Sequence, residues 1–383
     1  MNKNLVTRVK TVFKQHFNEE PLVVFAPGRI NLIGEHTDYN EGFVFPAAID
    51  KGIYAAFSKS NDAFSKVIAL DVDDSHQFTT DIIKPLHSGS WKNYVLGVIA
   101  EIQKKERKVQ NFNLVFSGDI PSGAGLSSSA ALENVVAFGL NELLNLQLSK
   151  KELIYVSQKA EHNFVGVKCG IMDQYASMFG KENSAILLDC RDLSATIFNL
   201  DFEDYEIVLI NSNVQHELAE SEYNERRAVC EKVASLLKVN ALRDVNVELL
   251  KTIENKLSDQ DYQKALYVIE ENERVLTASK TLKEKNYQEL GKLLFASNDG
   301  LQNQYKVSCK ELIFLVDLAK KNQNVLGARM MGAGFGGCTI NLVHKDSIDN
   351  FIDEASNAFF ATFNHRPTAY QVKLGNGVRL VNQ

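Results

Sequence analysis

Cysteine is sparse and scattered. The five thiols, Cys169, Cys190, Cys230, Cys309 and Cys338, include no Cys-x-x-Cys pair, which argues against a thiolate zinc site. Their odd number and wide spacing suit reduced thiols in a cytosolic protein. No apolar run approaches the roughly 20 residues of a membrane-spanning helix. Neither sign of charge dominates. The 42 Lys and Arg stand against 48 Asp and Glu, a net charge of -6 with both signs mixed along the chain, so a nucleic-acid-binding surface is not expected. There is no Pro/Gly/Ser-rich linker, internal repeat or low-complexity tract. What remains is an ordinary globular composition, 45% hydrophobic and 23% charged. At 383 residues the chain is long enough for two or three domains with a full core.

One stretch organises the rest: Ile120 to Glu133, Ile-Pro-Ser-Gly-Ala-Gly-Leu-Ser-Ser-Ser-Ala-Ala-Leu-Glu. Before it, Phe112, Leu114 and Phe116 alternate with Asn111, Asn113 and Val115, the period of a strand. After it, Leu132, Val135, Val136, Leu140, Leu143 and Leu144 recur at helical spacing. A strand therefore enters a Gly/Ser loop that opens a helix of about four turns. Glycines let backbone N–H groups converge on an anion, and a helix N-terminus adds its positive dipole end. The alternative is a Gly-Ser turn with an N-cap serine. The loop is not a Walker A motif, because no Gly-Lys-Ser/Thr closes it. It also lacks Gly-x-Gly-x-x-Gly spacing, since Ser128 stands three residues after Gly125.

Near the start, Leu5, Val6, Val9, Val12, Phe13 and Phe17 share one helical face, with Lys3, Arg8, Lys10 and Lys14 elsewhere. A targeting presequence has that look. Glu19 and Glu20 follow at once, however, and no cleavage signal appears, so a surface helix docked on the first domain is expected. Leu22–Phe25 reads as a buried strand that delivers the polar run Arg29 to Asp38. Glu35, His36, Thr37 and Asp38 are consecutive and cannot share one face of a strand, but a turn can bring them together. Carboxylates and an imidazole suit a polyhydroxylated ligand. A metal site and a solvated acidic turn are the alternatives, and the spacing of a zinc peptidase helix is missing.

Further along, the pattern predicts strands over Gly42–Ser58 and Ser65–Val72 and helices over Trp91–Lys105 and Lys150–Asn163. Gly166 and Gly170 then let the chain fold back, which can bring Glu161 and Asp173 to one site. Asp173 falls in the first turn of the next helix, where the dipole favours its ionised form. The alternative is a solvated Glu161 and an ordinary helix-start Asp173. Strands are expected over Ala185–Cys190, Ala195–Leu200 and Tyr205–Asn211, with a soft boundary near residue 204. Charged helices follow to Asn322, such as Glu217–Leu237. Gly327–Cys338 is a second glycine-rich stretch, consistent with close approach to backbone or ligand or with a bend beside a sheet. A strand over Thr339–Val343, a helix over Ser347–Phe360 and a last strand over Thr368–Lys373 complete the chain.

Three stretches taken together carry a resemblance. Gly28–Tyr39, with Arg-Ile-Asn-Leu-Ile-Gly-Glu-His-Thr-Asp-Tyr, resembles the galactokinase signature. Pro121–Ala131 is similar to the phosphate motif of the GHMP superfamily of small-molecule kinases, and Arg329–Cys338 to its third motif. Gly166–Gln174 and Ser221–Asn224 also resemble galactokinases, and the matches keep family order from residue 22 to 343. Met331 stands where the third motif often has Thr, Ala333 where many members have Gly, and Asn298 where a His is often found.

The resemblance implies an α+β, two-domain GHMP kinase fold. Residues 1–203 would form a domain like the second domain of ribosomal protein S5, and 204–383 a ferredoxin-like domain, with the active site between them. It implies ATP-dependent phosphorylation of the anomeric (C1) hydroxyl of α-D-galactose to galactose 1-phosphate, the entry step of galactose catabolism. By position, Asp173 is the base and Arg29 its charged neighbour. Glu35, His36, Thr37, Asp38, Gly170 and Tyr223 would line the sugar site. Gly123, Ala124, Gly125, Leu126, Ser127, Ser128 and Ser129 would wrap the ATP phosphates, with Ser129 and Glu161 on Mg2+. The expected partners are galactose and ATP, without nucleic acid or membrane, in a cytoplasmic monomer. A non-catalytic sugar and ATP sensor is a rival, but the intact loop and the presence of Arg29, Glu161 and Asp173 speak against it. An N-acetylgalactosamine or arabinose kinase is the other rival.

Overall fold

The computed structural model describes residues 1–87, 90–121, 123–214 and 219–381. The first part of the chain forms α1 (Lys3–Phe17), β1 (Leu22–Asn31), β2 (Phe43–Val44), β3 (Pro46–Lys59), β4 (Ser65–Ala69), β5 (Asp74–Phe78), α2 (Trp91–Gln103), β6 (Phe112–Gly118), α3 (Ser128–Leu144), α4 (Lys150–Ala160), α5 (Met172–Phe179), β7 (Ser184–Asp189) and β8 (Ala195–Asn199). The second part forms β9 (Tyr205–Asn211), α6 (Ala219–Leu237), α7 (Val247–Lys251), α8 (Asp259–Lys283), α9 (Tyr287–Gly300), α10 (Lys310–Lys321), β10 (Val325–Met330), β11 (Cys338–His344), α11 (Ile348–Phe363), β12 (Thr368–Gln371) and β13 (Arg379–Leu380). Glu217, at the start of the helix expected to reach Leu237, lies outside the described residues.

Strand periodicity builds two cores on one sheet. The order β13-β1-β3-β6-β4-β5 has β4 parallel to β6, and the other pairs are antiparallel. On β3, Ala55 and Phe57 join Leu114 and Phe116 of β6 beneath α2 to α5, whereas Tyr54 and Ala56 point the other way, with Val115. That second face is covered by α1 through Val9 and Phe13, both fully buried. The amphipathic N-terminal stretch is thus a docked helix, capped by the Asn2 side chain on Leu5 N–H. Burying two such side chains contributes roughly 3–6 kcal/mol.

The order β12-β9-β11-β10, all antiparallel, with a helical crossover between β9 and β10 and α11 between β11 and β12, is the ferredoxin-like split βαβ arrangement. Helices α6 to α10 fill the first crossover. Period two again makes both faces apolar. Val208 and Ile210 pack under α10 and α11, while Leu209 and Ile340 face α8 and α9. The α8 and α9 side continues between the two parts, where Ile30, Leu32, Ala124 and Leu126 meet Leu290, Met331 and Ile340 in the same cluster. The last strand returns to the first sheet and pairs with β1.

Several boundaries differ from the sequence reading. β1 does not stop at Phe25 but runs to Asn31, with a register shift between Pro27 and Arg29, so Arg29 stands on a strand, paired with Ala48, rather than in a loop. The second glycine stretch is not irregular throughout, because Gly327 to Met330 belong to β10. The helix expected to reach Asn163 stays α-helical only to Ala160 and widens to a π-turn over Glu161–Val165. Such turns recur at functional sites because they re-aim a side chain. β5 is polar, Asp-Ser-His-Gln-Phe, and β13 is two residues long. Neither carries an alternating apolar signal.

Candidate active site

The end of β1, the turn after it, the loop before α3, the π-turn and the start of α5 meet around one cavity of about 240 Å3. Its lining includes Arg29, Glu35, His36, Asp38, Gly125, Ser127, Ser129, Glu161, Gly170, Asp173 and Tyr223. Tyr94, Val167, Cys169, Met172, Gly332 and Ala333, none of them expected as site residues from the sequence, also line it.

Arg29 grips Asp173 with two hydrogen bonds, Nε to Oδ1 at 2.8 Å and Nη2 to Oδ2 at 3.1 Å. Its third nitrogen donates to the Gly125 carbonyl. Burial works against the charge on Arg29, but Asp173 and Glu35 outweigh it and raise its pKa. Ser127 donates its hydroxyl to Asp173 Oδ2. It occupies the N-cap of α3 in a left-handed conformation, φ 57°, without a side-chain capping bond. The hydroxyl is turned to Asp173 and not onto the helix, so this N-cap serine does not cap with its side chain. A helix start without a side-chain cap suits an anion.

The glycines explain how the loop is held. Gly125 has φ +70°, and a Cβ there would approach the Met331 carbonyl to 3.0 Å. Gly332, on the second glycine stretch, faces Gly125 in return. The two glycine loops thus pack backbone on backbone across the interface. Ala124 and Leu126 send their side chains into the core between the two parts, so only their backbones can serve a ligand. Ser128 is exposed, and Gly123 lies at the loop surface with φ +69°.

The turn after β1 carries a buried ion pair. Arg329 of β10, fully buried, donates to Glu35 Oε1 at 2.8 Å and to the carbonyls of Asn31, Leu32 and Met330. The Gly332 N–H reaches the same Glu35 oxygen at 2.8 Å. Burial alone would raise the Glu35 pKa, but Arg329 and Arg29 hold it below the usual carboxylate value. Arg329 appeared in the sequence only as part of a motif; a lone cation in an apolar, Gly-rich run was its signal.

His36 sits at φ 64° with Nδ1 against the Tyr39 hydroxyl at 2.9 Å and Nε2 against the Ala333 carbonyl at 3.1 Å. Burial lowers its pKa to about 4, so the ring is neutral. Thr37 departs from a ligand role. It is wholly buried, and its hydroxyl lies on the Gly34 and Phe43 carbonyls at 2.9 and 2.7 Å, which pins the turn. Asp38 accepts from Tyr39 N–H at 2.9 Å and Met172 N–H at 3.4 Å. Burial and the nearby Asp173 charge push its pKa up to about 6. Tyr223 of α6 closes this side, its ring centroid 5.4 Å from those of His36 and Tyr39.

Glu161 is 7% exposed, and its Oε2 accepts from Gln174 at 3.0 Å and from the Cys169 thiol at 3.4 Å. Burial and Asp173 raise its pKa to about 7, and the Ser129 hydroxyl draws it partly back. The departures from the family motifs also find places. Met331 sulfur accepts the Asn31 N–H at 3.4 Å, and Asn298 accepts the Met330 N–H at 3.0 Å. Both close backbone donors at the ends of β1 and β10.

Known proteins resemble this chain over nearly its whole length. Residues 11–59 match the galactokinase galactose-binding signature, 93–181 the GHMP kinases N terminal domain, and 278–362 the GHMP kinases C terminal domain. The chain is 41% identical over 367 residues to a galactokinase of Thermotoga neapolitana, covering 94% of this chain and 99% of that one. It is 38% identical over 388 residues to a galactokinase of Clostridium acetobutylicum, covering 98% of each. Lactococcus lactis galactokinase, solved with galactose, superposes with a TM-score of 0.94 at 34% identity, over 98% of this chain and 100% of that one. Methanococcus jannaschii mevalonate kinase shares the fold, with a TM-score of 0.67 at 18% identity over 93% and 99% of the two chains.

Proposed function

The chain belongs to the galactokinase family of the GHMP kinases, and from that premise we propose that it transfers the γ-phosphoryl group of ATP to the anomeric (C1) hydroxyl of α-D-galactose, with Asp173 taking the hydroxyl proton. It is a kinase that phosphorylates galactose with ATP. One observation carries the finer reading: the acidic turn, the Gly/Ser loop, Glu161 and the Arg29–Asp173 pair all face one cavity.

Each group has a distinct task. Asp38, with Glu35, His36, Gly170 and Tyr223 around it, reads the sugar hydroxyls. The nitrogens of His36 are already engaged, so its ring serves as a neutral wall. Thr37 acts at one remove by pinning the turn. The Gly123–Ser129 loop and the start of α3 wrap the phosphates through backbone N–H groups and serine hydroxyls. Glu161 and Ser129 would hold a magnesium ion, since a carboxylate and a hydroxyl are the hard oxygen donors such an ion takes. When bound, such an ion would supply positive charge to the phosphates. Arg29 fixes the direction of the Asp173 carboxylate through two hydrogen bonds, and its charge would steady the transferring phosphoryl group. A monomeric state, a cytoplasmic location and the division into 1–203 and 204–383 belong to the same proposal, except that β13 returns to the sheet of the first part. No described helix is long and apolar enough to cross a membrane.

The test is ATP consumption by the purified protein with galactose, glucose, arabinose, N-acetylgalactosamine and mevalonate, with the product identified by NMR. Galactose is expected to give the 1-phosphate in a magnesium-dependent reaction. Glucose should be poor, because buried groups that pair with a hydroxyl reject analogues by up to about 10⁴-fold. Protein that binds galactose and ATP yet makes no sugar phosphate would instead be a sensor. A second prediction concerns Gly170. A Cβ there would overlap the Asp38 carboxylate, and overpacking of this kind costs about 1–3 kcal/mol. Gly170→Ala should therefore weaken galactose binding in calorimetry by roughly 10- to 100-fold, as expected if Asp38 is displaced. An unchanged affinity would take Asp38 out of sugar recognition.

A further inference from the structure

We propose that Gln174 is a positioning residue for Glu161, and that Glu133 fixes which way the Gln174 amide faces. The inference rests on the reading of Glu161 as a magnesium ligand. Glu133 comes from α3, the helix opened by the phosphate loop, Glu161 from the π-turn after α4, and Gln174 from the first turn of α5. Glu133 and Gln174 have no exposed surface at all. The Gln174 amide nitrogen donates to Glu161 Oε2 at 3.0 Å and to Glu133 Oε2 at 3.1 Å. A primary amide has two N–H donors, so both are directed at acids from different elements. In this orientation the one nitrogen serves both acids, which a single amide oxygen in its place would do only if each acid carried a proton.

The backbone is held as well. Asn134, beside Glu133 on α3, donates to the Gln174 carbonyl at 2.9 Å. The start of α5 is thereby fixed to the helix that the phosphate loop opens. Asp173 and Gln174 are neighbours, so one helical turn aims the proposed base at Arg29 and an amide at the proposed metal ligand. Glu133 and Gln174 each keep one buried side-chain oxygen, Oε1, without a protein partner. Leaving such atoms unpaired is costly in a core, and a purely structural site is better filled by apolar residues. A neutral amide between two acids instead sets the direction of one carboxylate beside the cavity. Partners of this kind behind a metal ligand are typically worth about 10- to 100-fold in metal affinity.

The test is Mn2+ binding to the full chain with ADP, followed through the electron paramagnetic resonance signal of free Mn2+, with galactose binding measured alongside. Gln174→Met keeps the length of the side chain and removes both donors. The Mn2+ dissociation constant should rise about 10- to 100-fold, while galactose affinity holds. Glu133→Gln retains an acceptor for the amide and should bind Mn2+ like the parent, whereas Glu133→Met should shift toward Gln174→Met. Parental Mn2+ affinity in a Gln174→Met protein that binds galactose overturns the proposal. If Gln174→Met does not fold, equal Mn2+ affinity in Glu133→Gln and Glu133→Met overturns it. Glu161→Gln separates the two levels. Loss of Mn2+ there, with none in Gln174→Met, removes the positioning role alone. No loss in either removes the metal reading beneath it.

Discussion

Replacing Asp173 with Asn is expected to slow phosphoryl transfer by at least about 10²-fold, as for a lost general base, while galactose and ATP still bind. An anomeric hydroxyl is a weak nucleophile until its proton is removed. Asp173 lines the cavity, and its carboxylate is held by two bonds from Arg29 and one from Ser127. Those bonds fix its direction. A second mechanism is a loose transition state in which the proton leaves late and Asp173 only orients the hydroxyl. Asn keeps the shape and removes the charge, so it separates the two. Arg29 keeps the Gly125 carbonyl in the variant, and the protein should fold. Single-turnover kinetics on protein shown to bind both substrates is the measurement. A rate within severalfold of the parent would remove proton abstraction by Asp173 and leave Arg29, the phosphate loop and the metal to carry the chemistry.

Arg329→Met is expected to destabilise the protein by about 3–5 kcal/mol, the cost of leaving one member of a buried ion pair alone. Against a typical total of about 5–15 kcal/mol, that is enough to lower the unfolding temperature markedly. Arg329 is wholly buried and Glu35 is 2% exposed, so solvent cannot take over the lost contacts. The carbonyls of Asn31 and Leu32 lose their donor as well. The pH dependence has a definite sign. The folded-state pKa of Glu35 is lowered, so its contribution is present above the unfolded carboxylate pKa and lost as pH falls through the folded one. The gap in stability between parent and variant should therefore narrow in acid. Chemical denaturation at neutral and acidic pH checks both points. A variant as stable as the parent at neutral pH would show that Glu35 finds another partner.

Much of the secondary structure was legible because central strands of the two larger sheets carry buried apolar residues at a period of two. Phe112, Leu114 and Phe116 on one side of β6 and Val115 on the other are an example. β10 was hidden because Gly327 and the glycines after Met331 mask its apolar residues. It is a strand because β11 pairs with it, not because of its own composition. β5 and β13 are edge strands whose sequences show little pattern, and pairing with β4 and β1 defines them. The π-turn could not be read either. A helix that widens by one residue has the same local sequence preferences as one that does not.

By itself the sequence determined the motifs, their order and the types of group that would meet: an anion loop, an acidic turn and two later acids. Those properties are local, since each depends on residues a few positions apart. Only the tertiary structure decided which groups share the work. Arg29 and Asp173 are 144 residues apart, and Glu35 and Arg329 are 294 apart. Tertiary packing also turned the Thr37 hydroxyl onto backbone carbonyls, engaged both nitrogens of His36 and buried Glu133 against Gln174. A side chain's type is set by its codon. Its partner is set by which elements the hydrophobic cores press together, and a buried polar group must then bond whatever lies within about 3 Å of it.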